Sequence, residues 1–338
     1  MKNLTRVFVE ECRTSKNKRA NLKRIFFAIA IIFLAITVII HPEFASDGVR
    51  NGISCSVNIL IPSMFFLVFI SVATTQCGIS EKAKKHLEKV TEFLFYLPGS
   101  TAPIIFLSLF GGYPVGAVGT AKLYDKNEIT EEQLNRMMLF CVNSGPAFIV
   151  SALGKTLLGS VRTGSWLFLV QIISSIFIGI LSGILARIKK IKFYSKTIAL
   201  KEVDFNFGTV FVDSCKGACL VLANICAPVI LFFGITSILE NSGLINCFSV
   251  ILKNFGISSQ ISKVLFISLI EMTQGCIVAA NAGAPLWMFS WILGFGGLCA
   301  HTQISASLKG RSFNYLKFAA FRIVNGIITA LITAHIIQ

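Results

Sequence analysis

The chain has 338 residues and a formal net charge of +15, yet only 14% of its residues are charged, against about 25% in an ordinary soluble domain. Apolar residues make up 54% of it and mean hydropathy is +0.75. Sixteen carboxylates and 31 cations cannot wet so apolar a chain, which excludes a cytosolic enzyme, a secreted disulfide scaffold and a nucleic-acid reader. The expected class is an all-α polytopic membrane protein. Its excess of Lys and Arg belongs to cytoplasmic loops.

The first 24 residues hold eight cations and are expected to form a basic cytoplasmic N-terminus. A leading transmembrane helix and an outer loop follow over 25–52, with no A-x-A site for cleavage. Ile53–Cys77 is the next predicted span, with Pro62 inside it. Residues 80–97 alternate Lys and Glu with Leu87, Val90, Phe93 and Leu94, the pattern of an amphipathic helix lying on a membrane surface. Ala102–Thr120 is apolar but carries Gly111, Gly112, Pro114, Gly116 and Gly119. That predicts a re-entrant hairpin or a helix unwound midway. Thr130 and Gln133 form a capping box, opening a helix into 137–153 that breaks at Asn143-Ser144-Gly145-Pro146. Trp166–Ala186 is a clean span, and a basic cytoplasmic linker covers 191–215.

The second half follows the same plan. Residues 217–239 form a span with Pro228 inside, and 241–262 an interfacial stretch. Residues 263–285 form an apolar segment broken near Glu271. Residues 287–308 are interrupted at Gly294–Gly297, and 317–337 close the chain. Asn58-Ile-Leu-Ile-Pro62 aligns with Asn224-Ile-Cys-Ala-Pro228, and Phe106-Leu-Ser-Leu109 with Phe266-Ile-Ser-Leu269. A duplicated unit is therefore expected, with repeats at 53–190 and 216–338. If each broken segment enters and leaves on one side, each copy has three crossings, and an odd number inverts the second copy. This arrangement, with seven spans in all, puts 26 of the 31 cations inside and five outside.

Inverted repeats with broken helices are a mark of secondary transporters. Each break leaves N–H and C=O groups that lipid cannot satisfy but a solute can. The expected solute-binding residues are Gly112, Tyr113 and Gly116 from the first break, and Asn143, Ser144 and Gly145 from the second. Glu271, Thr273 and Gln274 come from the third, with Gly296, Gly297, His301 and Gln303 from the fourth. Glu271 is the carboxylate well inside a predicted membrane segment, costly unless it works; the plainer reading is that it bonds backbone N–H groups and shapes the hairpin. Asn143 and Ser144 could equally cap a half-helix, and His301 could titrate near the inner face. No catalytic residue, metal site, cofactor or P-loop is expected. The ten cysteines have no CxxC pairing and pack as small hydrophobes. The expected partners are a small-molecule solute and the lipid bilayer. A coupling proton or sodium ion and a homo-oligomer are left open, and nucleic acid is not expected.

The stretches HPEFASDGVRNG, NILIPSMFFLVFISV, FGGYPVGA, NSGPAFIV, EMTQG and GFGGLCAHTQIS resemble the sporulation integral membrane protein YlbJ (SpoVV) family. That family carries a nucleoside recognition, or Gate, domain. The resemblance spans about residues 40–320. It implies a fold similar to parts of concentrative nucleoside transporters, with inverted repeats, broken helices and re-entrant hairpins. It also implies movement of dipicolinic acid across the outer forespore membrane during sporulation. The dianion sits uneasily with Glu271, so a nucleoside or related heterocycle is an alternative cargo. A non-transporting spore-envelope assembly protein is another alternative.

Overall fold

The computed structural model describes residues 24–25, 28–29, 31–77, 79–195 and 206–336. The basic N-terminus, all but its last residue, and residues 196–205 of the expected 191–215 linker lie outside these; the end of that linker, from Phe207, is already helix. Every regular element among the described residues is helical. In chain order they are α1 (Ile31–Ile40), α2 (Pro42–Cys55), a π-helical turn π1 (Ser56–Leu60), α3 (Ile61–Gln76), α4 (Ile79–Phe95), α5 (Ala102–Phe110), α6 (Tyr113–Asp125) and α7 (Glu131–Phe140). A longer π-helix π2 (Ala147–Leu157) is followed by α8 (Val161–Ile188), α9 (Phe207–Asn241), α10 (Leu244–Lys253), α11 (Ser259–Ile270), α12 (Met272–Asn281), α13 (Leu286–Phe295), α14 (Gly297–Ser307) and α15 (Tyr315–Ile336).

Among the described residues, four helices are long and apolar enough to cross a membrane: Pro42–Thr74, α8, α9 and α15. A fifth candidate is the bent pair Leu87–Phe95 and Gly99–Phe110, turned by 97°. The segments expected at 137–153 and 287–308 are each two half-length helices, broken where the sequence places the breaks. The span expected at 53–77 begins earlier, at Pro42. Pro62 has no N–H for the helical ladder, and the widened π1 turn just before it absorbs the mismatch, so the helix runs on.

The helices meet through small residues. Gly48 and Gly52 of α2 lie against Phe233, Ser237 and Ile230 of α9, so closely that an added Cβ at Gly48 would sit 2.6 Å from Ser237 Cβ. Gly294 of α13 meets Gly326 of α15, and Gly154 of π2 meets Gly164 of α8. Lipid offers no hydrophobic drive between helices, and close backbone approach at small residues takes its place.

Side-chain contacts define one end of the bundle. Arg187 donates to Glu92 O and Phe93 O at 2.5 and 2.6 Å, and Arg136 to Tyr96 O at 3.1 Å and to Phe95 O. Two guanidinium groups thus cover the C-terminal carbonyls of α4, where a cation is favoured. Gln133, whose capping box with Thr130 forms as expected, also reaches Tyr194 O. Asn135 bonds Ser312 O and the Asn314 N–H. Arg311 grips Asp125 through both carboxylate oxygens, at 2.8 and 2.5 Å. The stretches around 92–96, 125–136, 187–194 and 311–314 therefore share one end, here called the basic end. These are the loops that the charge pattern assigns to one side.

The Arg311 hydrogen bonds hold the Asp125 carboxyl below its ordinary range. A depressed carboxylate contributes stability above its unfolded pKa and loses it as pH falls through the folded one. Asp125→Asn is expected to lower Tm slightly at neutral pH and to converge on the parent as pH falls below the ordinary carboxyl range and the aspartate is protonated in the folded state too. Thermal unfolding across pH checks this.

Candidate solute site

Four breaks interrupt the helices, and they converge. The first joins α5 to α6 at Gly111-Gly112, with Gly112 at φ 83°. The second joins α7 to π2 through Cys141–Pro146, and the third is the single residue Glu271 between α11 and α12. The fourth is Gly296, at φ 91°, between α13 and α14. Glycine alone adopts such angles freely, which is why the chain can reverse or kink at Gly112 and Gly296. Helices α5 and α6 pack on each other, as do α11 and α12, so these pairs fold back.

A small cavity of about 50 Å³ lies where the breaks meet. Gly112, Tyr113 and Pro114 line it from the start of α6, and Ser144, Gly145 and Phe148 from the start of π2. Glu271, Met272 and Thr273 come from the start of α12, and Gly296, Cys299, Ala300 and Gln303 from α14. The lining is thus built from four helix N-termini, the ends that carry about half a positive charge each. The remaining wall is apolar, from Leu60, Met64, Ile225 and Val229.

The opposite, carbonyl-bearing ends are covered elsewhere. Arg322 of α15 is 1% exposed. Its guanidinium donates to Val142 O at 2.6 Å, beyond the end of α7, and to Leu293 O and Phe295 O at 3.3 Å, at the end of α13. It also lies 5.6 Å from the centre of the Tyr113 ring. One positive charge therefore meets two helix C-termini, each worth about half a negative charge. That explains how a buried arginine persists without a carboxylate among the described residues. The Gly145 backbone covers Phe110 O at the end of α5, and Gly297 lies against Ser268 O and Ile270 O of α11.

Among the expected residues, Gly112, Tyr113, Ser144, Gly145, Glu271, Thr273, Gly296 and Gln303 meet at the cavity. The other five stand behind it. Asn143 Nδ2 donates to Phe140 O at 2.8 Å, and its Oδ1 accepts from Ser175 and Gln171 of α8. It caps the half-helix α7, the plainer of its two readings. His301 is 2% exposed and packs on Phe295 and Phe318. Its Nε2–H donates to Phe295 O at 3.1 Å, leaving Nδ1 to accept from the Tyr315 hydroxyl. Both ring nitrogens are therefore engaged away from the cavity. Gln274 sends its N–H to Glu271, while its own Oε1 is buried with no partner among the described residues. Gly297 is placed as described above. Gly116 packs on the backbone of Cys141, where an added Cβ would sit 1.7 Å from the carbonyl oxygen. Gly116→Ala must force α6 away from α7. It is expected to cost about 1–3 kcal/mol, read as a lower unfolding temperature in detergent.

Glu271 does two things. It is 2% exposed, and its carboxylate accepts the Gln274 N–H at 2.6 Å, capping α12. It also faces the cavity. Tyr113 bridges two breaks, donating its hydroxyl to Leu293 O at 2.6 Å.

No family model and no solved structure matches the chain. A curated protein does: the sporulation integral membrane protein YlbJ of Bacillus subtilis (strain 168), 23% identical over 335 aligned positions. The match takes in 92% of this chain and 82% of that protein. The chain is similar to that YlbJ protein over most of its length. The name of that protein gives a membrane location and a link to sporulation, and nothing about a cargo. Among the described residues no cluster of His, Cys, Asp and Glu is arranged to hold a metal ion.

Proposed function

We propose that this protein is a secondary transporter that carries a small organic anion across a membrane of the sporulating cell by alternating access. The observation that supports it best is the cavity ringed by four helix N-termini, whose backbone N–H groups favour negative charge. They offset the single carboxylate of Glu271, so a dianion such as dipicolinate becomes a reasonable cargo.

The chain order supports an inverted repeat. A long helix, a short helix, a fold-back pair, a broken pair and a long helix occur twice, over α3–α8 and α9–α15. The outer ends of α5 and α6 lie at the basic end, whereas Glu240 at the end of α9 pairs with Lys263 near the start of α11. Because α9 runs antiparallel to α3, with Ser214 on Gln76 and Gly217 on Val72, that second pair enters from the other end. Two re-entrant hairpins of opposite sense are the natural reading. The basic end is assigned to the cytoplasm. A volume of about 50 Å³ has room for a few waters only, so the half-helices must part for a solute to bind.

Reconstitution into liposomes tests the proposal. Saturable entry of labelled dipicolinate above protein-free vesicles is expected, with little competition from excess nucleoside. No entry of either would overturn transport. Strong nucleoside competition would replace the anion with a heterocycle.

A further inference from the structure

We infer that a second, larger chamber beside the central cavity is a water-filled antechamber that admits a small organic anion from the basic end. This rests on the transport reading above, and it adds a route and a residue that selects charge.

The chamber has a volume of about 1290 Å³ and lies between α3 and α9 on one side and α5, α6 and α14 on the other. It shares two lining residues with the central cavity, Pro114 and Gln303. These two form the neck. From Pro114, one face of α6 continues through Val115, Val118 and Gly119 to Lys122 and Lys126, the i, i+3, i+4 spacing of a single helical stripe. From Gln303, a face of α14 continues through Ala306 and Ser307. Both stripes run from the neck to the basic end, where Asp125 and Arg311 join α6 to the loop after α14. Ser71, Gln76 and Asn224 place polar groups on the facing wall.

Three features favour an aqueous anion over a lipid chain. The chamber leads to the carboxylate-bearing cavity rather than ending blind. Polar side chains stand on both walls along its depth, where water can add hydrogen bonds and an acyl chain cannot. And Lys122 is exposed, with no acidic partner among the described residues, so its charge is available to concentrate anions in a crevice with low-dielectric walls.

The test reads solvent and charge inside the chamber and does not require transport. Val118→Trp places a fluorophore on the α6 stripe, and its signal is taken as the difference from the parent with its three native tryptophans. The full chain is reconstituted in phosphatidylcholine vesicles, with and without brominated acyl chains. Iodide and acrylamide are both expected to quench the added fluorescence, and brominated lipid is not. Adding Lys122→Glu is expected to lower the iodide quenching constant by about threefold or more and to leave acrylamide unchanged. Elution volume and Tm confirm that each variant is folded. Quenching by brominated lipid without iodide would give the groove to lipid and overturn the inference, as would no quenching by any agent. Either result would stand whether or not the vesicles take up solute. Uptake with an unchanged Lys122→Glu rate at low salt would overturn the role of Lys122 and leave the transport reading intact.

Discussion

Replacing Arg322 by leucine is expected to lower the unfolding temperature clearly, and Arg322→Lys to be nearly as damaging. The guanidinium satisfies three carbonyls that come from two different broken helices. Without it, Val142 O loses its side-chain donor, while Leu293 O and Phe295 O keep only their bonds from Tyr113 and His301. An unsatisfied buried acceptor costs about 1–3 kcal/mol, a large share of a stability of about 5–15 kcal/mol. Lysine keeps the charge but presents a point donor on a flexible stem, and it cannot fork to acceptors this far apart. Thermal unfolding in detergent, followed by helix content, reads the effect. Near-parent stability in Arg322→Leu would mean that the ends of α7 and α13 are satisfied in another way.

The same geometry gives Arg322 a part in any movement. It holds the last turns of α7 and α13 together, and Tyr113 is bound to one of them at Leu293. The cavity wall and the two half-helices are thus tied at one point. A half-helix that swings to open the site must exchange these hydrogen bonds for others.

The sequence carried the outline well where its signal was local. Gly111-Gly112, Asn143–Pro146, Glu271 and Gly294–Gly297 announced the four breaks, because glycine, proline and polar groups have no other business in a hydrocarbon layer. The capping box at Thr130, the helix α4 with its amphipathic pattern and the grouping of the basic loops were legible from equally local signals. Helix length was not. The helix that starts at Pro42 runs on to Thr74, where the composition suggests a loop up to residue 52 and a separate span from 53. Partnership across the chain was also out of reach. Arg322 sits in YLKFAAFRIVNG, one position among apolar neighbours, where it counts equally well as a charge at a span end. An arginine within an apolar helix is itself a warning, but nothing local says that its acceptors lie 27, 29 and 180 residues away. For His301 and Asn143 the residue type suggested a ligand, and only packing shows that their polar atoms are already taken.

Glu271→Gln is expected to keep the fold and to change transport by at least about tenfold, which separates the two things this carboxylate does. As a cap it needs only an oxygen facing the Gln274 N–H. Glutamine retains one, so the stability loss should stay below the roughly 1 kcal/mol of a lost cap. Glu271→Ala removes the oxygen and should show that loss. As a cavity group the carboxylate supplies charge, and glutamine removes it. In a cavity ringed by helix N-termini, that makes the empty site more positive. An anionic solute should then bind more tightly and leave more slowly, lowering both the apparent KM and the maximal rate of entry. A neutral solute should instead lose affinity, raising KM. The direction of the KM shift therefore identifies the class of cargo from one variant. Parent-like kinetics in a folded Glu271→Gln protein would reduce Glu271 to a helix cap, and the charge logic of the cavity would then rest on the backbone alone.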